Sequence, residues 1–403
     1  MKRSLGLVLI LALLGLVQPV AAADIKVMTQ NQYLGADLTP LLTAPTRAAF
    51  NEAAVAALQQ VAANRPADRV KVLAAEILWE MPALVGLQEV FLFECTDLAP
   101  PVRGQGCDDP TIRGAFVDHL QGTLKALHRM YDVAAIVTNI NLTPGIPVYM
   151  DEVIPILVRV VDRDVILARF DVDSTPVDFT VYQPFGICTK PSDQGCNYRV
   201  LLNVDTPVGT LSVERGFVAV DAAVHGKAYR FVTTHLEEKH PGTQAGPIQA
   251  LQAEELIQVL HSTTPKHRSL IVVGDTNSSP IDPEIPTFLG IPGFPAPLPT
   301  PYMQFVAAGY SDAWMLGEGN VSGFTCCQQA DLSNRKSELY ERVDMLFSRV
   351  APADVDDAQL VGVTQLAKTP PFRGLWPSDH AAVAAELEFR LHVLVHGYPG
   401  WPH

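Results

Sequence analysis

Between residues 25 and 31 (I-K-V-M-T-Q-N) apolar and polar positions alternate and then stop at Asn31, the period of a half-buried strand. The period then lengthens. Residues 47–64 are alanine-rich with helical spacing, and Pro66 opens a second helix with Val70, Leu73, Ile77 and Leu78 on one face, ending before Pro82. Residues 83–87 predict a short apolar strand that delivers Gln88 and Glu89 at its end. A loop with Cys95, Cys107 and several prolines follows, and an amphipathic helix is expected near residues 112–130.

From Tyr131 the pattern turns to strands, at 133–137, 156–161, 165–170, 200–204 and 217–224. His225-Gly226 sits between two alternating runs and predicts a hairpin turn, whose second strand, 229–234, ends at His235. Residues 248–260 read as a helix, 269–273 as a buried strand, and Gly274 to Asn277 as the loop after it. The proline-rich stretch 280–301 reads as a surface excursion. Strands at 343–347 and 381–387 complete the set.

Five of these strands stop at a polar or ionisable residue: Asn31, Glu89, His235, Asp275 with Asn277, and Asp379 with His380. Asp344 is expected inside the strand 342–347. Taken singly, such residues end strands because they form turns. Taken together, their types fit one chemistry. Glu89, Asp379 and Asn31 offer hard oxygen ligands that suit magnesium, manganese or calcium better than zinc. Asp275 can activate a water, and Asn277 can donate to a phosphate oxygen. His235 and His380 can donate to phosphate or shuttle protons, with Asp344 orienting one of them. Phosphoester hydrolysis needs a cation for the phosphoryl charge, an oriented water and fixed donors.

Composition narrows the setting. Lys2 and Arg3, an apolar run from Leu5 to Val17 and the small residues Ala21 to Ala23 form a secretory signal pattern. The expected organisation is a signal peptide over residues 1–23 and one α/β domain over 24–403, secreted or periplasmic, with no later membrane span. Removing the two leading cations takes the formal net charge from −14 to −16. That balance argues against tight, sequence-independent nucleic-acid binding and against a polybasic membrane-surface protein, although a bound metal supplies positive charge locally. The six cysteines fall in three close pairs, Cys95/Cys107, Cys188/Cys196 and Cys326/Cys327, and read as disulfides. The vicinal pair fits that reading least.

M-T-Q-N (28–31), L-Q-E-V (87–90), T-T-H-L (233–236), G-D-T-N (274–277), R-V-D-M-L-F (342–347) and S-D-H (378–380) occur in this order along nearly the whole chain. In this the sequence resembles the endonuclease/exonuclease/phosphatase superfamily. The resemblance implies a four-layered α/β sandwich, with two central mostly antiparallel sheets flanked by helices. It implies a Mg2+-dependent (or Mn2+- or Ca2+-dependent) hydrolase, with Glu89 as principal metal ligand, Asn31 beside it and Asp379 as a second contact. Asp275 and Asn277 become the water-orienting and phosphate-contacting pair, Asp344 and His380 a carboxylate–imidazole pair. His235 becomes a phosphate contact or leaving-group acid. Asp275 and His380 both stand as the base. The substrate expected first is a phospholipid headgroup diester, as in sphingomyelinase-like members, with an extracellular nuclease second and a phosphomonoesterase third; a non-catalytic binding protein is the rival class. Tyr182 and Tyr198 are loose candidates for a mid-chain tyrosine of some nucleases. Arg215 reads as a surface salt bridge, His119 and His128 as packed or solvated, His225 as a turn residue, and His240 is set aside.

Overall fold

The computed structural model describes residues 23–150, 154–239, 245–286, 297–320, 322–370 and 374–389. Residues 1–22 of the expected signal peptide and His240 lie outside them, as do 287–296 of the proline-rich stretch. In chain order the first half holds β1 (Ala23–Asn31), α1 (Thr39–Leu42), α2 (Arg47–Ala63), α3 (Pro66–Glu80), β2 (Leu84–Gln88), β3 (Leu92–Asp97), α4 (His119–Ala126), β4 (Tyr131–Asn141), β5 (Ile146–Val148) and β6 (Ile156–Arg169). Short strands β7 (Asp173–Pro176), β8 (Pro191–Ser192) and β9 (Gly195–Asn197) follow, then β10 (Leu202–Thr206) and β11 (Gly209–Val213), a separate hairpin. The second half holds β12 (Gly216–Val224), β13 (Lys227–His235), α5 (Ala245–Thr263), β14 (Ser269–Asp275), α6 (Pro301–Ala307), β15 (Ser311–Asp312), α7 (Ala313–Gly317), β16 (Asp344–Ser348), β17 (Asp354–Val361) and β18 (Ala382–Phe389).

Two large sheets organise these strands. One runs β17-β18-β1-β2-β6-β3, with β4 and β5 also on β6; the other runs β15-β16-β14-β13-β12-β9-β8, with β7 on β12. Their facing sides bury Val27, Leu84 and Val383 from one sheet against Val220, Phe231 and Val273 from the other. The first sheet's outer side packs Val85 and Leu167 on Ala74 and Ile77 of α3 and Leu120 of α4. The second sheet's outer side packs Val232 and Phe347 on Leu256 and Leu260 of α5 and Phe305 of α6. The result is helix, sheet, sheet, helix: the four-layered α/β sandwich expected from the sequence. Among the described residues no helix is long and apolar enough to cross a membrane.

Pairing direction decides where polar residues collect. Most neighbours are antiparallel, but β1 with β2 and β13 with β14 are parallel. Each parallel pair therefore ends at a common edge, and the antiparallel partners β18 and β16 begin there. Both sheets present that edge at the same end of the sandwich. At Gly86 the sheets approach so closely that a Cβ would collide with the Thr233 side chain.

Several expectations change. Asp344 is not inside a strand; it is the first residue of β16, opposite Asp275. The helix expected over 112–130 shrinks to α4. Asp118 caps it, and the residues before it run beside β3, with Phe93 N–H donating to Val117 O and His119 N–H to Phe91 O. The strands expected at 156–161 and 165–170 are one 14-residue strand, β6, because Asp162-Arg163-Asp164 stays paired with β4, across a bulge at Asn139, instead of turning. His225 and Gly226 form the β12–β13 turn with positive φ at both, as read. All three cysteine pairs are joined, the vicinal one included.

The buried stripe of α3 contains charges as well as aliphatics: Arg69, Glu76 and Glu80 share it with Val70, Leu73 and Ile77. Glu76 accepts from Gln30 Nε2 at 3.2 Å, and its Oε1 has no partner among the described residues. Burial pushes its carboxyl up to about 8, against the pull of the Gln30 hydrogen bond. A carboxyl raised on folding binds its proton more tightly in the native state, so stability falls as pH climbs from about 4.5 to about 8. Glu76→Gln removes that loss. In urea unfolding it should gain about 3 kcal/mol at pH 7 and nothing at pH 4; an equal effect at both would contradict this assignment.

Candidate functional site

All eight residues singled out in the sequence converge at the shared edge. Asn31 ends β1, and its Nδ2 donates to Glu89 Oε1 at 3.0 Å and Asp275 Oδ2 at 3.1 Å, so one amide ties the two sheets together. Its Oδ1 accepts from Tyr33 N–H at 2.9 Å. Glu89 follows β2 in the left-handed region, φ 53°, and its Oε2 accepts from Leu34 N–H at 2.7 Å. Beneath it Gln88 takes Thr29 Oγ1–H on its Oε1 and donates to Thr233 Oγ1 at 2.7 Å, a second bond between the sheets.

His235 and Asp275 end the parallel neighbours β13 and β14 in register. Gly274 before Asp275 has φ 142° and no room for a Cβ against Thr234 O. Asn277 adopts φ 49°, which asparagine tolerates, and donates its N–H back to Asp275 Oδ1 at 2.9 Å. Its Nδ2 lies 3.2 Å from His235 Nε2 and donates to Leu236 O at 3.0 Å. Gln249 of α5 holds this loop by donating to Asn277 O at 2.7 Å and Glu237 O at 2.8 Å. His380 Nδ1–H donates to Asp344 Oδ2 at 2.7 Å, and its Nε2 lies 3.7 Å from Asp275 Oδ2. Ser378 Oγ–H anchors that loop on Asn31 O at 2.7 Å.

The two histidines are pushed in opposite directions. Burial alone would neutralise His380, but Asp344, Asp275 and Asp379 outweigh it and hold the imidazole well above its ordinary value. Burial, then Arg215 and His380, hold His235 well below. Arg215 Nη1 is 2.9 Å from His235 Nδ1. A guanidinium only donates, so Nδ1 accepts and the ring proton sits on Nε2, facing Asp275 Oδ2 at 3.5 Å. Burial raises the carboxyls too: Glu89 to about 6, and Asp275 and Asp379 to about 7. Each is raised further by an acidic neighbour, Asp162 for Glu89, Asp344 for Asp275 and Glu89 for Asp379.

Crowded acids of this kind fit a hard divalent cation. Asp275, Asp344 and His380 bring ligand atoms within 4.8 Å of one another, and the charge of Glu89 raises the Asp379 carboxyl.

Sequence reasoning missed three residues. Arg215 is not a surface salt bridge: it is 9% exposed, bonded to His235 and 3.6 Å from Glu237. Gln249 carried no signal. Arg69 did, as a charge on the apolar stripe of α3. Tyr198 is packed in the outer core, bonded to Thr234 at 2.8 Å, and cannot meet a ligand. His119 is fully buried and His128 exposed.

No protein-family model matches the chain, and no curated protein does. Among solved structures it is similar to an endonuclease/exonuclease/phosphatase family protein from Bacteroides thetaiotaomicron, with 15% identity and TM-score 0.49 over 92% of this chain and 100% of that one. It is similar to an endonuclease/exonuclease/phosphatase from Beutenbergia cavernae, with 17% identity and TM-score 0.45 over 91% and 72%. It is also similar to truncated Caenorhabditis elegans TDP2, with 14% identity and TM-score 0.45 over 91% and 97%.

Arg69 is wholly buried and donates to Asn64 O, Gln32 O, Pro377 O and Tyr33 O at 2.8–3.0 Å. Its bonds join the loop after Asn31 to the loop before Asp379. Arg69→Lys cannot reach four carbonyls. It should lower stability by about 3–5 kcal/mol and cut turnover of a bis-aryl phosphodiester more than tenfold. Wild-type values of both would refute the clamp.

Proposed function

We propose that this chain is a divalent-metal-dependent phosphoesterase, and that its preferred substrates are phosphodiesters of lipid headgroups. The observation that carries the hydrolytic reading is the continuous contact from Glu89 through Asn31 to Asp275, flanked by His235 on one side and the Asp344–His380 pair on the other. Glu89, Asp379 and Asn31 would hold magnesium, which when bound draws charge from the phosphoryl oxygens. Asp275 lies between the two imidazoles and is placed to receive a proton from water. Its bonds to Asn31 and to Asn277 N–H fix the carboxylate's orientation.

His380, held charged by Asp344, donates to a phosphate oxygen through Nε2. His235 presents Nε2–H beside Asn277 Nδ2, so these two supply further donors for charge developing in the transition state. Arg215 fixes the His235 tautomer that makes this possible.

The lipid reading is favoured by charge and by the rim. A formal net charge of −14 repels a polyanion at long range, whereas a single headgroup needs only the local field. Tyr340, 63% exposed, lies within electrostatic reach of His380 and Asp379 and offers an apolar body with a polar tip.

The test is turnover of sphingomyelin vesicles, plasmid DNA and a bis-aryl phosphodiester by purified protein with magnesium, then with chelator. Glu89→Ala and His380→Ala should each lose at least a hundredfold in kcat/KM in a folded protein, and chelation should abolish turnover. If both variants keep full activity, the site is misassigned. If plasmid DNA is the better substrate, the headgroup reading fails and the hydrolytic one stands.

A further inference from the structure

The vicinal disulfide Cys326–Cys327 has no part in the hydrolytic scheme, yet it lies against it. Thr325 O accepts from Ala381 N–H at 2.8 Å, and Gln328 N–H donates to Asp379 O at 2.8 Å, so the pair is bracketed by bonds to the residues on either side of His380. On its other flank Cys326 N–H donates to Glu341 O at 2.9 Å, and Thr325 Oγ1 accepts from the N–H groups of Val343 and Asp344 at 3.1 Å. The two sulfurs are thereby held between the segments that carry His380 and Asp344. Their Sγ atoms and a ring nitrogen of His380 lie within 4.8 Å of one another. Cys326 is buried, whereas Cys327 is half-buried and is the sulfur an attacking thiol can reach.

His380 therefore belongs to two ligand sets, one of carboxylate oxygen with Asp275 and Asp344, the other of sulfur. Two thiolates and an imidazole make a soft set, which suits zinc or cadmium with a fourth position open and suits magnesium poorly. Asp344 takes the proton of Nδ1, as carboxylates do behind ligating histidines, and leaves Nε2 as the nitrogen able to ligate. In the disulfide neither sulfur is a thiolate, so the set is closed. We propose that Cys326, Cys327 and His380 form a redox-gated zinc site, opened when a dithiol reductant reduces the vicinal disulfide. One reductant thiolate attacks Cys327 Sγ and expels the Cys326 thiolate; the reductant's second thiolate then breaks the mixed disulfide and frees Cys327. Two electrons pass to the cysteines, and the reductant leaves as its own disulfide. Zinc replaces the thiol protons and the proton on Nε2, which go to solvent. Nε2 is the atom that meets phosphate in the proposed mechanism, so the loaded site is silent. Only that loss of turnover rests on the hydrolytic reading; metal capture does not.

The test compares oxidised protein with protein reduced by a dithiol and desalted without oxygen, both in excess magnesium. Reduced wild type should bind one more zinc per chain than oxidised wild type. Cadmium should bring up thiolate-to-metal ultraviolet absorption in the reduced form alone. Equimolar zinc should cut turnover of the bis-aryl phosphodiester by about tenfold or more in the reduced form and leave the oxidised form unchanged. Cys326→Ser/Cys327→Ser keeps the other two disulfides, and after the same reduction it should gain no zinc and keep its turnover. His380→Ala should keep the cadmium absorption but bind the added zinc about tenfold more weakly. Equal zinc stoichiometry in oxidised and reduced wild type, zinc gained by the reduced serine variant, or unchanged zinc affinity in His380→Ala overturns the proposal. Should the serine variant fail to fold, Cys95→Ser/Cys107→Ser decides in its place, because it must still gain the zinc on reduction. If reduced wild type gains the zinc but neither form turns over any substrate, the zinc site stands and the hydrolytic reading falls.

Discussion

A single guanidinium pins the loops that carry Asn31 and Asp379 at the cleft edge of one sheet. Arg69 has no contact with solvent and directs its N–H groups at carbonyls just after β1, at the end of α2 and just before Asp379. A buried cation with that many neutral acceptors is satisfied as a hydrogen-bond donor but not as a charge. Burial draws its pKa down to about 10, and Asp379 and Glu89 push the other way. Arg69 therefore does two things at once. It fixes the backbone that carries Asn31 and Asp379, and it supplies the background field in which those acids sit.

That field is unbalanced on purpose-built geometry. Glu89, Asp275, Asp344 and Asp379 face one another across distances that Asn31, Asn277 and Ser378 set by hydrogen bonds. Within this low-dielectric cleft burial, helped by neighbouring acids, raises the carboxyls of Glu89, Asp275 and Asp379, and the histidines are pushed in opposite senses according to whether an acid or an arginine is nearest. His380 has Asp344 behind it, which raises its pKa; His235 is buried with Arg215 behind it, and both lower its pKa. Two imidazoles a few ångströms from the same carboxylate thus become chemically different through the residue each turns its back on.

The layers were legible in the sequence because their periods are plain. Strands ending at Asn31, Glu89, His235 and Asp275 were found where apolar runs met polar residues, and the hairpin at His225-Gly226 from its turn chemistry. The edge they share was not legible, because it depends on which pairs are parallel, and nothing in a strand of five residues encodes its neighbour. Asp344 shows the limit. Its pattern, R-V-D-M-L-F, reads as a strand from residue 342, yet the ladder starts only where Asp275 provides a partner. Arg215 shows another: a charge before a strand looks alike whether the strand begins in solvent or beneath a cleft.

A charge in a sequence need not mark a surface or a break, and in this chain several lie on apolar stripes. Arg69, Glu76 and Glu80 recur at helical spacing with Val70, Leu73 and Ile77, and Asp162 and Asp164 recur at strand spacing inside β6. A solvated charge has no reason to keep the period of the core beside it; a buried one must, since the backbone that places the core places it too. Phase, not polarity, separates the two cases. By that criterion the Asp162-Arg163-Asp164 run points its acids inward and its arginine outward before any coordinates are consulted, and the burial of both acids beside a solvent-side Arg163–Asp118 pair agrees with it.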